Sequence, residues 1–401
     1  MAIVLQEVIG RKYGDRFYPT VSGVARSINF YPIHPEKADD GIANVALGLG
    51  KYIVDGGQTL RFSPRFPRKL LQLASPEMAL RETQKHFYAL DLSPEAFRPT
   101  VDDGANLRQI RVADAEKDGS LKHIASTFDL DNHIIRDGVG HEGRKLITFC
   151  NVLQHNVFPL ADILSTCLEV GQREMNKPIE IEFAVELNPP RDQPRIFNIL
   201  QIRPIVDNKE SIDEDLEQVD PGDAVITCRS ALGNGIMRSI TDLVYVKPES
   251  FEASANPHIA ERMAEVNDRF LKENRNYVLV GPGRWGSSDP WLGIPVKWPH
   301  ISAARLIVES GLDDYRIDPS QGTHFFQNLT SFRVGYFTIN PYISDGSYDL
   351  DFLRQQEAFY EDEYLRHIRF SEPLVVKIDG RRNLGVVFKP GKGNGEVRDP
   401  Q

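Results

Sequence analysis

The clearest alternation of hydrophobic and polar positions runs from Ile179 to Pro204, IEIEFAVELNPPRDQPRIFNILQIRP. Ile179, Ile181, Phe183 and Val185 share one face of a strand, and Glu180, Glu182 and Glu186 share the other. A second strand, Ile196–Arg203, places Gln201 and Arg203 on one face, and the intervening loop, Leu187 to Arg195, closes a hairpin. In that hairpin Glu182 falls opposite Gln201, and Glu180 opposite Arg203. Leu160, Ile163, Leu164, Cys167, Leu168 and Val170 recur at helical spacing and predict a helix over 160–176. Val21–Tyr31 reads as a strand, Arg81–Tyr88 as a short helix, and Asn44–Val54 carries a glycine-rich turn. The opening residues, Ala2–Ile9, read as a buried strand with no cap or turn before it, as expected of a fragment of a longer chain.

An acidic stretch, Val206–Asp223, ends in a Pro-Gly turn signal and reads as a linker, although a solvated loop within one domain has the same composition. Beyond it the pattern predicts a strand near Asp242–Val246, a helix near His258–Glu273, a strand at Tyr277–Val280, a helix at Ile301–Glu309 and a strand at Phe332–Ile339. The organisation expected is therefore residues 1–205 as a first domain, 206–223 as linker, 224–389 as a second domain of alternating strands and helices, and 390–401 as a disordered tail. The fold class is α/β (α+β).

The chain has 401 residues, enough for two or three cores, and 41% hydrophobic with 26% charged residues is ordinary for a globular protein. A net charge of -10 disfavours a general nucleic-acid surface. Cys150, Cys167 and Cys228 are scattered with no CxxC, which argues against a disulfide scaffold or zinc site and fits a reducing cytoplasm. No apolar run reaches the roughly 18 residues of a membrane span, and the first residues lack a signal-peptide layout.

The hairpin is the main candidate for chemistry. A carboxylate and an amide oxygen converge at Glu182 and Gln201, hard donors that suit Mg²⁺, which completes its octahedron with phosphate and water. Arg203, one pleat away, can clamp a phosphate in bidentate fashion. A cross-strand Glu180–Arg203 ion pair on a wet sheet face would give the same pattern.

The stretch IEIEFAVE…RIFNILQIRPI resembles the end of the nucleotide-binding domain of the phosphoenolpyruvate synthase and pyruvate phosphate dikinase family. That ATP-grasp domain ends in a D-I-E-[FW] strand followed by an L-Q-x-R-P strand. Glu182, Gln201 and Arg203 fall on its metal and phosphate positions, and Glu180 replaces its aspartate. VSGVARSINF resembles the family's S-G-V-x-F-[ST] strand, so that Gly23 and Ser27 match positions approaching the nucleotide, while Arg26 replaces the usual phenylalanine. NVALGLGKYIVDGG resembles its G-L-G-E loop, with Lys51 in place of the glutamate.

The resemblance implies the C-terminal part of an ATP-grasp domain that binds ATP and Mg²⁺. The adenine pocket would lie in an upstream part, supplied by a longer chain or a partner. It also implies a swivelling phosphohistidine-like domain after the linker. SQGTHFFQNLTS would stand at the family's G-G-x-T-x-H-A-A, making His324 the phosphocarrier, with Gly322 and Thr323 serving the phosphoryl oxygens. Adjacent Thr and His, a single glycine and Phe325-Phe326 depart from that motif, and a histidine buried beside an aromatic pair is equally compatible with the stretch. Arg284, in GPGRWGSSDPW, is a candidate anion contact; a rigid turn packed by Trp285 and Trp291 is equally compatible. The pyruvate-binding barrel has no counterpart in the roughly 60 residues after Asn340, against about 250 for such a barrel. The expected function is phosphotransfer from MgATP through His324 toward pyruvate or phosphoenolpyruvate. The rivals are a related enzyme with another acceptor, such as a drug or glucan, and a non-catalytic nucleotide-binding remnant.

Overall fold

A computed structural model describes residues 6–95, 99, 104–205, 215–287, 293–311, 329, 332–340 and 345–393. Sheets dominate and helices are few. The chain divides into two compact units, one comprising Met1–Asn29 and Asp39–Val206, the other Phe30–Ala38 and Asp207–Gln401.

The first unit is built around a five-stranded antiparallel sheet in the order Phe197–Pro204, Ile179–Val185, Val21–Arg26, Ile42–Ala46, Leu60–Phe62. The helix Leu160–Met175 covers one face because Leu160, Leu164 and Leu168 line one stripe at 3.6-residue spacing. That stripe packs with Ile179, Ile181, Phe183, Val185 and Ala25 into a single core. The opposite face carries Arg26, Glu180, Glu182, Gln201 and Arg203. Two smaller sheets, Arg11–Tyr13, Arg16–Tyr18, His86–Asp91 and Leu107–Arg111, and Ala125–Asp129, Ile134–Asp137 and Arg144–Ile147, complete the unit.

The second unit holds a ten-stranded mixed sheet. Its centre is four parallel strands, Gly235–Val246, Tyr277–Pro282, Ala304–Ser310 and Gly335–Ile339, flanked by antiparallel strands that include Leu365–Asp379 and Leu384–Phe388. The helix Asn256–Lys272 links the first two parallel strands and buries Ile259, Met263, Val266 and Phe270.

Several elements differ from the sequence reading. Residues 301–309 form not a helix but the strand Ala304–Ser310, in which Leu306, Ile307 and Val308 are all buried. A central parallel strand is covered on both faces and loses the alternation that marks a strand. In place of a helix over 81–88, Pro76–Glu82 is helical and His86–Asp91 is a strand. Ser75 Oγ caps that helix by accepting from Met78 N at 3.2 Å, and Pro76 opens it. The strand from Val21 ends at Arg26. Residues 2–5 lie outside the described residues; Gln6–Ile9 form no strand, Gln6, Glu7 and Val8 are exposed, and the Gln6 side-chain amide donates to Leu200 O of the hairpin at 2.8 Å. The described end of the acidic stretch, 215–223, is ordered by Leu216, which packs with Val375, Leu384, Val386 and Phe388. At the tail, Lys392 pairs with Asp223 at 2.8 Å.

Candidate functional site

The hairpin register is the one the alternation predicts: Glu182 opposes Gln201 and Glu180 opposes Arg203. An irregularity after Glu182 leaves Phe183 opposite Ile199, which absorbs one extra residue in the second strand. On its other side Glu180 opposes Arg26 and Glu182 opposes Val24. Directly opposed residues share a face, so three strands deliver Arg26, Glu180, Glu182, Gln201 and Arg203 to one surface.

Glu180 is the buried anchor of this surface. Arg26 Nε donates to its Oε2 at 2.6 Å. Arg203 donates to its Oε1 from Nε at 3.0 Å and from Nη2 as well. Burial pushes the Glu180 carboxyl up, but the hydrogen bonds and charges of Arg203 and Arg26 outweigh burial and hold it below the ordinary glutamate value. The two residues at which this strand pair departs from the family pattern, Arg26 and Glu180, are thus bound to each other. The ion pair considered from the sequence alone is real, and Glu182 lies at its edge: that carboxylate is partly exposed, with Arg203 Nη2 at 3.9 Å.

Among the described residues no group of three or more His, Cys, Asp or Glu side chains converges on a point. The donor set present is smaller, one carboxylate facing one amide across the ladder. Two protein oxygens suffice for Mg²⁺ whose other ligands are phosphate and water. Glu182 and Gln201 fit that ion, because Glu182 stands 3.9 Å from Arg203, beyond hydrogen-bond distance, and faces Gln201 across the ladder.

Gly23 and Ser27 lie elsewhere. Gly23 opposes Phe183 on the core face, and a Cβ built on it would come within 2.1 Å of the Phe183 ring. Its lack of a side chain lets the Phe183 ring pack over the strand. Ser27 is buried; its Oγ accepts from Ile179 N at 2.9 Å and its N–H donates to Ile179 O at 2.9 Å, tying the strand end to the hairpin. The glycine-rich turn does reach the open face: Ser22 Oγ donates to Gly48 O at 2.6 Å, and Gly48 has φ of 90°, a backbone that excludes most side chains. Lys51 opens the short helix after it and pairs with Asp55 at 3.0 Å.

In the second unit, Trp285 is fully buried; its backbone N–H donates to Glu309 Oε1 at 2.9 Å and its indole to Val308 O at 3.2 Å. Trp285 thus packs the turn beside Arg284, while Trp291 lies outside the described residues. His324, Gly322 and Thr323 lie outside the described residues. The residue that sequence reasoning treated only as a departure, and that the structure brings into the surface, is Arg26. Its parity within VSGVAR places it on the Ser22 and Val24 face, but its partner lies 154 positions away.

This surface is a sheet face that presents oxygen donors beside paired guanidiniums. The sequence profile of the pyruvate phosphate dikinase AMP/ATP-binding domain matches residues 1–222, more than half of the chain. The protein belongs to that family; the matched stretch covers the first unit and also Phe30–Ala38 and residues 207–222 of the second. No curated protein matches the chain. Among the described residues, no helix is long and apolar enough to cross a membrane.

Proposed function

We propose that the open face of the five-stranded sheet holds MgATP, and that this chain takes part in phosphoryl transfer of the phosphoenolpyruvate synthase type. In this reading the first unit is the C-terminal portion of an ATP-grasp domain and the second a swivelling, phosphohistidine-type domain. The observation that supports it most is the Glu182–Gln201 pair, opposed across the ladder on the same face as Arg203, with Glu182 held only by a loose 3.9 Å ion pair among the described residues. Glu182 and Gln201 hold the metal, and Arg203 donates to phosphoryl oxygens from Nη1, the edge it does not give to Glu180. A bound magnesium ion would offset charge on those oxygens. A nitrogen of His324 then bonds to phosphorus as the P–O bond to the nucleotide breaks, the electron pair leaving with the nucleotide. The enolate oxygen of pyruvate later takes the phosphoryl group and frees the histidine.

Thermal unfolding with magnesium alone and with MgATP tests the first step. MgATP is expected to raise the midpoint of the native chain, and Glu182→Ala to abolish that rise, since one metal-ligating oxygen is lost. An equal rise in Glu182→Ala would refute the metal assignment. Acid-labile labelling from γ- or β-labelled ATP tests the second step: it is expected in the native chain and absent in His324→Ala. Lys51, bound to Asp55 where the family has glutamate, favours one alternative, nucleotide binding without turnover. Nucleotide binding with no labelled histidine would select it.

A further inference from the structure

Arg26, Glu180 and Arg203 stand in one row across three neighbouring strands, with Glu180 in the middle. The carboxylate side chain is 7% exposed, while Arg26 and Arg203 are 39% and 55% exposed. A ligand can therefore reach the two arginines and not the group that anchors them. A guanidinium has five N–H donors in a planar fork. Arg26 gives Nε to Glu180 and keeps both Nη groups; Arg203 gives Nε and Nη2 and keeps Nη1. No described protein acceptor takes the remaining donors.

One carboxylate needs one guanidinium for charge balance. The second arginine adds a positive charge beside the first, an arrangement that costs stability unless another anion offsets it. Without ligand, Glu182 supplies that offset from 3.9 Å. Once a divalent cation occupies Glu182, the offset is gone and the row is net positive. Two strand spacings separate Arg26 and Arg203 by about 10 Å at the backbone, and both side chains lean inward to Glu180.

We propose that Arg26 is a second phosphate-contacting residue, which together with Arg203 clamps the polyphosphate chain of a nucleoside triphosphate, and that Glu180 is the positioning residue for both. This rests on the reading that the same face binds MgATP, and extends it to a residue that the family resemblance marks only as a departure. An arginine here gives the face two fixed guanidiniums in place of one.

The probe is inorganic tripolyphosphate, which carries the phosphates without adenine or ribose, titrated calorimetrically. The native chain with magnesium is expected to bind it. Arg26→Gln should weaken binding by about tenfold or more, the value of a charge-assisted hydrogen bond. Arg26→Lys, which keeps the charge but lacks the fork, should fall between them. Glu182→Gln without magnesium removes the repelling carboxylate and should also bind, an affinity lost on adding Arg26→Gln. Unchanged binding in Arg26→Gln, or no binding by either the native chain or Glu182→Gln, overturns the proposal. Tripolyphosphate binding that depends on Arg26, with no MgATP binding by the native chain, refutes the ATP reading and leaves the clamp standing. If Arg26→Gln does not fold, native-like affinity in Arg26→Lys overturns the proposal and intermediate affinity supports it.

Discussion

Asp242→Ala is expected to unfold the second unit at a clearly lower urea concentration, with a loss of about 3 kcal/mol. Asp242 is completely buried. Its Oδ2 accepts from Arg275 Nη2 at 2.6 Å and from Thr241 Oγ1 at 2.7 Å. Its Oδ1 accepts from Arg369 Nε at 2.9 Å and lies 2.8 Å from His367 Nε2. Removing one partner of a buried pair strands the others, which costs about 3–5 kcal/mol. Arg275 and Arg369 are partly exposed and can turn to water, which favours the lower end of that range. All three tryptophans, Trp285, Trp291 and Trp298, fall in the second unit, so tryptophan fluorescence follows it alone. A midpoint within experimental error of the native one would mean that the network contributes nothing.

The same carboxylate makes a pH prediction. Burial pushes the Asp242 carboxyl up, but the hydrogen bonds from His367, Arg369, Arg275 and Thr241 overcome burial and hold it far below the ordinary aspartate value. A depressed native value means that the stabilisation is complete above the unfolded pKa of about 4 and is lost as the pH falls below it. The second unit should lose stability on acidification over that window, and Asp242→Asn, which cannot titrate, should show a shallower acid slope.

Phe183→Ala is expected to destabilise the first unit by about 3–5 kcal/mol, the usual cost of emptying a core aromatic site. Phe183 is 1% exposed and stacks on Phe197 at a centroid distance of 5.0 Å. Its ring lies over Gly23, so Gly23→Ala should cost about 1–3 kcal/mol by overpacking. In a Phe183→Leu background the added cost of Gly23→Ala should shrink, because the smaller side chain vacates the space the new methyl needs. Far-UV circular dichroism of the melting chain is the readout, since the first unit has no tryptophan. Strict additivity of the two changes would show that Gly23 is glycine for some reason other than the ring.

The hairpin was legible because one face is core and the other is polar, so a two-residue period survives in the sequence and sets the register. The helices Leu160–Met175 and Asn256–Lys272 were legible for the same reason, each burying one stripe. Ala304–Ser310 was not, because burial on both faces erases the period and leaves an apolar run that serves a helix equally well. The short helix Pro76–Glu82 carries its own start signal, Ser75 at the cap and Pro76 just after it.

At the site, residue types and spacing alone gathered Glu182, Gln201 and Arg203, because neighbouring strands of a hairpin are also neighbours in sequence. They could not show that Glu180 is shared between two arginines, nor that Gly23 faces Phe183. Those contacts join segments about 150 residues apart, and only the placement of Val21–Arg26 beside Ile179–Val185 creates them. The buried Asp242 network likewise draws on Arg275, His367 and Arg369, which no local pattern connects. Sequence alone determined the periodic elements and the family, since both are written in local order. The tertiary structure decided which polar groups are spent on one another and which remain for a ligand, because that depends on the strands that become neighbours on folding.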